Sequence, residues 1–275
     1  YIINAHLEKQ IKPSASLLAA AVGSKVSAKL TNPQSVTKAR KNAQSHYDIG
    51  NDLYMRMLDK RMVYTCAYWK DAKNLDDAQE AKLDLVCRKL QLKKGMTVLE
   101  LGCGWGSFAE FAARKYGVSV TGVTPAVEQV KLARQRTKGL NVKILQKDYR
   151  EVTGTYDRVV SVGLLEHIGL KNYETFFKVC DEHLKPGGLM LHHTIGTNQV
   201  YGPKGDLWMD KYIFPGARVP SLSELVSASE GRFIVEDVHN IGPDYDKTLM
   251  AWHKNFLATY PEISDKYGER FKRMW

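Results

Sequence analysis

The stretch "VLELGCGWGSF", Val98 to Phe108, constrains the fold more than any other part of the sequence. A largely apolar run leads into three glycines at alternate positions, and an alanine-rich helical pattern follows. Glycine permits a tight turn and lets a ligand approach the backbone closely, while the helix start behind it offers free amide groups. The pattern therefore predicts the strand, loop and helix that open a Rossmann-like nucleoside-binding unit.

The spacing of this loop argues against a dinucleotide. Ser107 stands where the dinucleotide fingerprint has its third glycine, and Glu100 lies two residues before Gly102. That carboxylate disfavours a pyrophosphate but suits a sulfonium nucleoside that carries an ammonium group. The loop therefore favours S-adenosylmethionine over NAD, with Glu100, Gly102, Gly104 and Gly106 as predicted contacts. The alternative is a turn that needs its glycines for packing only.

Strands and helices alternate along the rest of the chain. An amphipathic helix is predicted over 76–90, and strands are predicted over 96–102, 118–124, 142–148, 156–167, 189–196 and 232–242. Such alternation implies parallel pairing in a doubly wound α/β sheet. A long aromatic segment rich in glycine and proline, residues 197–223, interrupts the pattern and is expected to be a lid-like insertion or a binding loop.

The second predicted strand ends without the acidic residue that nucleoside-binding sheets often direct at the ribose. Thr124 stands there instead, and Gln129 follows on the next helix. Asp148 and Tyr149 follow the third strand and could flank the adenine. Both segments could also be ordinary loops.

Composition narrows the class of protein. The chain is 44% hydrophobic and 25% charged, as in globular proteins, and no apolar run approaches the roughly 20 residues that span a bilayer. The four cysteines have no metal-binding spacing, which predicts reduced thiols in a cytoplasmic protein without a metal site. The net charge of +10 suits an anionic membrane surface or a solvated basic face. Aromatic residues are not interleaved with the N-terminal lysines, which disfavours nucleic acid.

Seven motifs, in order from about His46 to Trp275, resemble the cyclopropane-fatty-acid synthases, including the related mycolic acid methyltransferases. They are "HYDIGNDLY", "YTCAYW", "VLELGCGWGS", "VTGVT", "VSVGLLEHIG", "LHHTIG" and "DYDKTLMAW". The resemblance implies a class I methyltransferase fold, with helices on both faces of a seven-stranded sheet. It also implies transfer of a methylene group from S-adenosylmethionine to the cis double bond of an unsaturated phospholipid acyl chain. A carbocation would lose a proton to a bound bicarbonate, and a cyclopropane ring would close.

The same resemblance assigns residues by motif. The bicarbonate would be held by Glu166, His193, Tyr245 and the backbone around Cys66, with Ile195 nearby. The cofactor would contact Tyr64, Thr65, Gly102, Gly104, Thr124, Gln129, Asp148 and Tyr149.

The chemistry of these residues is compatible with that assignment. Glu166 and His193 end neighbouring predicted strands, and ligands of open α/β sheets bind beyond the carboxyl ends of strands. His193 would help to hold an anion if it is protonated or donates a hydrogen bond. Alternation along the strand sends His192 to the other face. Cys66 alone could be a small buried apolar residue.

The domain organisation also follows from the resemblance. Residues 1–45 are predicted to be the last helices of a helical N-terminal domain or a linker, and 46–275 the catalytic domain. The family continues with a helix and two strands beyond "RFKRMW", so we expect the chain to be part of a longer protein. A peripheral location at the inner face of the membrane and a possible homodimer are expected. The alternatives are a small-molecule N-methyltransferase, a mycolate-type lipid methyltransferase and a lipid-binding module without catalysis.

Overall fold

The computed structural model describes residues 34–36, 49–198 and 207–275. Within these ranges two helices precede the sheet, α1 (Asn51–Met57) and α2 (Leu75–Lys89). The core then runs through β1 (Thr97–Leu101), α3 (Ser107–Tyr116), β2 (Ser119–Thr124), α4 (Val127–Arg136), β3 (Val142–Gln146), β4 (Tyr156–Val162), α5 (Leu165–Ile168), α6 (Tyr173–Glu182) and β5 (Leu184–His193). Four helices follow: α7 (Leu207–Tyr212), α8 (Leu222–Ser229), α9 (Asp244–Thr259) and α10 (Ser264–Met274).

The sheet has the strand order β3-β2-β1-β4-β5, and each neighbouring pair is parallel. The chain reverses its direction of winding at β1, so the carboxyl ends of β1 and β4 flank a crevice of the kind that binds ligands in doubly wound sheets. The predicted α/β fold is therefore confirmed, and its topology brings the loops that follow the strands to one edge of the sheet.

The two faces of the sheet carry separate apolar cores because successive side chains of a strand point to opposite faces. Val98 of β1 packs on one face with Phe108 of α3. Leu99 and Leu101 pack on the other face with Phe176 of α6. Every residue of β1 from Val98 to Leu101 is buried, which explains why this strand reads as a nearly continuous apolar run.

A third apolar cluster joins α1 to α9 beside the glycine loop. Tyr54 of α1 lies against Trp105 of the loop, with ring centroids 4.8 Å apart. Trp252 and Phe256 of α9 are buried in the same cluster. This cluster carries residues 64–69, which contribute to the site described below.

The strand predicted over 232–242 is wrong. These residues form no strand, and the side chains of Ile234, Val235 and Val238 are exposed. An apolar alternating pattern becomes a strand only where a neighbouring strand accepts its backbone hydrogen bonds. The described residues provide five paired strands and no partner for this segment, whereas the resemblance implied seven strands.

Two predicted segments lie wholly or partly outside the described residues. They are the N-terminal helical segment, apart from 34–36, and residues 199–206 of the insertion. The described part of the insertion contains α7 and the start of α8, and Thr197 forms a β-bridge with Ser221. Within the described ranges, no helix is long and apolar enough to cross a membrane.

Candidate active site

A cavity of about 1260 Å³, counting the part open to solvent, lies beside the glycine loop at the carboxyl ends of the strands. Nine of the ten predicted cofactor contacts line it, and we call them the cofactor wall: Tyr64, Thr65, Glu100, Gly102, Gly104, Thr124, Gln129, Asp148 and Tyr149.

Two glycines of the loop have different surroundings, although both have a positive φ. A side chain at Gly104 would find nothing closer than Gln129 Nε2 at 4.0 Å, so this position leaves space for a ligand. A Cβ at Gly106 would lie 3.0 Å from Cβ of Ala133 on α4. Gly106 is the tenth predicted contact and lies outside the cavity lining. The absence of a side chain at Gly106 therefore lets the loop pack closely against Ala133 of α4.

Glu100 is a buried carboxyl group in the floor of the cavity. The backbone N–H of Ala109, in the first turn of α3, acts on this carboxyl group and lowers its pKa. Its Oε2 has no hydrogen-bond partner among the described residues. Burial raises the pKa of Glu100, and the nearby charge of Lys82 opposes that rise. The carboxyl group is therefore able to accept a donor from a ligand.

A polar pair replaces the missing acidic residue at the end of β2. The Thr124 hydroxyl donates to Gln129 Oε1 at 2.8 Å, and both side chains are buried. This bond turns the amide nitrogen of Gln129 toward Gly104, where it lies within reach of a ligand on the loop.

The end of β3 is held by an ion pair that the sequence did not indicate. Arg150 donates through Nε to Asp148 Oδ1 at 2.6 Å and through Nη2 to Oδ2 at 2.8 Å. Its Nη1 also donates to the backbone oxygen of Gln34 at 3.2 Å. Asp148 is thereby fixed, and the ring of Tyr149 beside it is buried. Fixed rings and carboxylates of this kind can border a planar base.

The five residues predicted for catalysis, which we call the catalytic group, lie beside the cavity lining rather than in it. Three of them meet at the ends of β4 and β5. Glu166 Oε1 accepts a hydrogen bond from Ile195 N–H at 2.7 Å, and the Gly163 N–H donates to the backbone oxygen of His193 at 2.9 Å. Glu166 is 8% exposed, and its Oε2 has no partner among the described residues. Burial raises the pKa of this carboxyl group.

His193 is a neutral imidazole in these surroundings. Burial lowers its pKa to about 3, and the charges of Lys82 and His192 act in the same direction. Of the two ways in which His193 could hold an anion, protonation is therefore unfavourable, and donation of one ring N–H is left. His192 packs its ring against Phe177, with centroids 5.6 Å apart, in the core on one face of the sheet.

The other two members of the catalytic group, Cys66 and Tyr245, are held by α9 and the segment attached to it rather than by the sheet. The segment 64–69 is attached to α9, where the Ala67 N–H donates to Thr248 Oγ1 at 3.1 Å. Cys66 is 2% exposed, and burial raises the pKa of its thiol to about 11. Tyr245 is the second residue of α9 and packs against the third apolar cluster. A thiol with this pKa is a poor nucleophile at neutral pH.

The two parts of the catalytic group, one at the ends of β4 and β5 and one at the segment attached to α9, are linked by one close contact and one electrostatic interaction. A Cβ at Gly163, which has a φ of +71°, would lie only 2.6 Å from Cγ2 of Thr65. Lys82 of α2 acts electrostatically on both Cys66 and His193. Sequence reasoning missed Lys82, because a lysine within an amphipathic helix is usually solvated.

The insertion adds aromatic residues to the cavity lining. The ring of Phe214 lies 6.2 Å from that of Tyr64 and 5.3 Å from that of His167. Tyr64 also lies 5.3 Å from Trp252, measured between ring centroids. The insertion, for which the sequence predicted a binding role, therefore lies next to the cofactor wall.

Comparisons with known proteins agree with this geometry. The sequence model of the family described as mycolic acid cyclopropane synthetase matches residues 34–275. The chain is 54% identical over 248 residues to the cyclopropane-fatty-acyl-phospholipid synthase of Escherichia coli (strain K12), which covers 90% of this chain and 65% of that protein. It is 34% identical over 254 residues to a sphingolipid C9-methyltransferase of Komagataella phaffii, covering 84% of this chain and 52% of that protein. The chain thus spans about half to two thirds of these relatives.

Solved structures give the same result for the fold. A cyclopropane synthase from Mycobacterium tuberculosis superposes with a TM-score of 0.79 at 29% identity, over 85% of this chain and 89% of that one. A mycolic acid cyclopropane synthase complexed with SAH and CTAB gives 0.79 at 31% identity, over 86% and 89%. Coclaurine N-methyltransferase gives 0.72 at 25% identity, over 99% and 79%. The chain therefore belongs to the mycolic acid cyclopropane synthetase family and has the class I methyltransferase fold of its cyclopropane synthases.

Proposed function

We propose that the protein transfers a methylene group from S-adenosylmethionine to the cis double bond of an unsaturated phospholipid acyl chain and forms a cyclopropane ring. The observation that carries this proposal is the cofactor wall beside a buried carboxyl group, Glu166, that lacks one hydrogen-bond partner. The name of the E. coli relative states this activity, and one solved relative was complexed with SAH.

The residues of the cavity fit S-adenosylmethionine, which supplies an electrophilic methyl group on its sulfonium when bound. Gly104 leaves room beside the backbone, and the unpartnered Oε2 of Glu100 suits an ammonium group. Thr124 and Gln129 are suited to the ribose hydroxyls, and Asp148 with Tyr149 to the adenine.

The residues beside the cavity also fit bicarbonate, which would supply the base for the proton of the transferred methyl group. A bicarbonate has both a donor and acceptors, and the buried Oε2 of Glu166 lacks a donor. The raised pKa of Glu166 lets it share a proton with such an anion. His193 would donate one ring N–H, and Ile195 orients Glu166 through its own N–H. Tyr245 and the backbone around Cys66 would complete the site.

The aromatic residues suit the acyl chain and the developing positive charge. Tyr64, Phe214 and Trp252 exclude water from their surroundings, and their ring faces attract a carbocation. The basic charge suits an anionic bilayer at the inner face of the membrane, where each nearby Lys or Arg contributes about 1 kcal/mol. A longer protein with an N-terminal helical domain, and a homodimer, belong to this proposal.

One observation favours a second candidate. Coclaurine N-methyltransferase covers nearly the whole chain in its superposition. An N-methyltransferase would methylate a small amine and would need no bicarbonate.

Mass analysis of acyl chains separates the two candidates. The purified protein is incubated with S-adenosylmethionine and liposomes of a monounsaturated phospholipid. We expect a product that is one CH2 heavier and whose ring distinguishes it from a methyl-branched chain after hydrogenation. Unchanged lipid with bound cofactor would contradict the proposal and favour the small-molecule activity or a silent binding module.

A further inference from the structure

The proposed function assigns no role to Lys82, a buried lysine in the cavity lining. Lys82 of α2 is 1% exposed, and its Nζ donates one hydrogen bond, to Thr65 Oγ1 at 2.6 Å. An ammonium group has three donors. In the part of the chain that the structure describes, Lys82 forms no ion pair within 4.0 Å. Two donor positions of a buried cation are therefore unfilled.

The carboxylates that act on Lys82 from a distance have other partners. Asp59 accepts from the N–H of Val63 at 2.7 Å and from the N–H of Arg61 at 2.9 Å. The backbone N–H of Ala109 acts on Glu100 and favours its charged form. Burial of an unpaired charge is costly, and it lowers the pKa of Lys82 to about 8. At neutral pH the lysine remains mostly cationic and lacks a close counter-ion.

The cavity lining thus contains a cation, Lys82, and a carboxyl group, Glu100, whose pKa burial raises to about 8, and the two do not pair with each other. Lys82 has unfilled donors, and the Oε2 of Glu100 has an unfilled acceptor position among the described residues. Both residues line the same cavity. A zwitterionic amino-acid group carries the complementary pair, a carboxylate and an ammonium, so it would satisfy both residues at once.

We propose that Lys82 is the cationic residue of a carboxylate subsite, which holds a small planar carboxylate next to the Thr65 hydroxyl. The amino-acid end of S-adenosylmethionine offers such a group, with its ammonium directed to Glu100. Bicarbonate carries the same planar anionic group. It is the second possible ligand because Lys82 also acts electrostatically on Cys66 and His193, which the proposed function places around bicarbonate. The identity of these ligands rests on the proposed function, whereas the carboxylate subsite rests on the geometry around Lys82.

Calorimetric titration with two thioether nucleosides tests this inference. S-adenosylhomocysteine carries the amino-acid end, and 5′-methylthioadenosine lacks it. We expect K82M to weaken the binding of S-adenosylhomocysteine by about 10- to 100-fold, the range of a charge-assisted hydrogen bond. The binding of 5′-methylthioadenosine should weaken by less than about twofold. K89M, on the same helix, should leave both affinities unchanged.

A purely structural role for Lys82 would change the two nucleoside affinities equally. Gln79 lies one turn earlier on α2 and donates to the backbone oxygen of Thr65 at 2.9 Å. Q79M therefore loosens Thr65 without removing the charge, and it should affect the two nucleosides alike. K82M without ligand should unfold at the same temperature or higher, because an unpaired buried charge has been removed. K82Q, which keeps a donor, is the second variant if K82M does not fold.

The outcomes distinguish the two sources of the carboxylate. Selective loss of S-adenosylhomocysteine identifies the amino-acid end. Unchanged nucleoside affinities with at least a tenfold rise in the bicarbonate concentration for half-maximal turnover identify bicarbonate. Equal loss of both nucleosides, or no change in any of the three measurements, overturns the inference. If the wild-type protein forms no ring product but K82M still shows the selective loss, the proposed function fails and the subsite stands.

Discussion

The cofactor wall and the catalytic group lie side by side but are built in different ways. Seven of the nine wall residues lie at the ends of β1, β2 and β3 or in the segments that follow these strands, so the parallel sheet fixes their positions. The catalytic group has two supports. Glu166, His193 and Ile195 lie at the ends of β4 and β5, whereas Cys66 and Tyr245 depend on α9 and the segment attached to it.

This difference indicates how each region should respond to substitution. A change in the wall acts on a surface that the sheet holds in place, so it should alter ligand affinity locally. A change in the catalytic group acts where two separate supports meet, so turnover should fall while ligand affinity is kept. The following substitutions test that separation, beginning with the largest expected effect.

E166Q should reduce ring formation by about 100-fold or more, while the affinity for S-adenosylhomocysteine changes by less than about twofold. The glutamine keeps the acceptor for Ile195 N–H but cannot share a proton at the second position. Turnover is measured from labelled acyl chains and affinity by calorimetry, with E174Q on the exposed side of α6 as the control. Equal loss of turnover and affinity would give Glu166 a structural role.

G104A and G106A should separate ligand binding from packing within one loop. At Gly104 the added methyl group enters open space, so we expect about tenfold weaker S-adenosylhomocysteine binding and a stability loss of about 1 kcal/mol. At Gly106 the methyl group meets Ala133, so we expect a loss of about 2 kcal/mol. Urea unfolding and calorimetry measure the two effects. The reverse order would mean that Gly106 serves the ligand.

H193Q should make the free energy of unfolding less dependent on pH. The folded-state pKa of His193, about 3, lies below its ordinary value, so the unfolded chain takes up the proton first. The stability that depends on the neutral ring is therefore lost as the pH falls through about 6.5. Between pH 7 and pH 5 the wild type should lose about 2 kcal/mol more than H193Q, measured by urea unfolding. Equal losses would indicate a ring that is protonated when folded.

C66A should have the smallest effect, with turnover falling by less than about tenfold and stability by about 1 kcal/mol. Burial keeps the thiol protonated, and the proposed contribution of this residue is its backbone. The measurement is the turnover of C66A beside E166Q under the same conditions. A loss as large as that of E166Q would show that the sulfur itself takes part.

The sequence was most informative where neighbouring residues determine the structure. The run from Val98 to Phe108 forms its strand, loop and helix from local pattern alone, and Thr124 and Asp148 could be located by counting from strand ends. Parallel strands then bring these positions to one edge, which explains why the cofactor wall was largely predictable.

The remainder depends on contacts between distant residues, which periodicity does not reveal. Lys82 reads as a solvated helix position until α2 packs against Thr65. Arg150 gains its role only when it meets Asp148 and Gln34. The segment 232–242 has the pattern of a strand but no neighbour to pair with among the described residues.

The contact between Gly163 and Thr65 limits how this site can change over evolutionary time. Any side chain at position 163 would displace Thr65 and, with it, the hydrogen bond of Lys82. Substitutions at position 163 therefore cannot alter the spacing between the cofactor wall and the catalytic group in small steps. Under the proposed function, specificity for other acyl chains would change more readily through Phe214 and Pro215, which belong to the insertion rather than to the sheet.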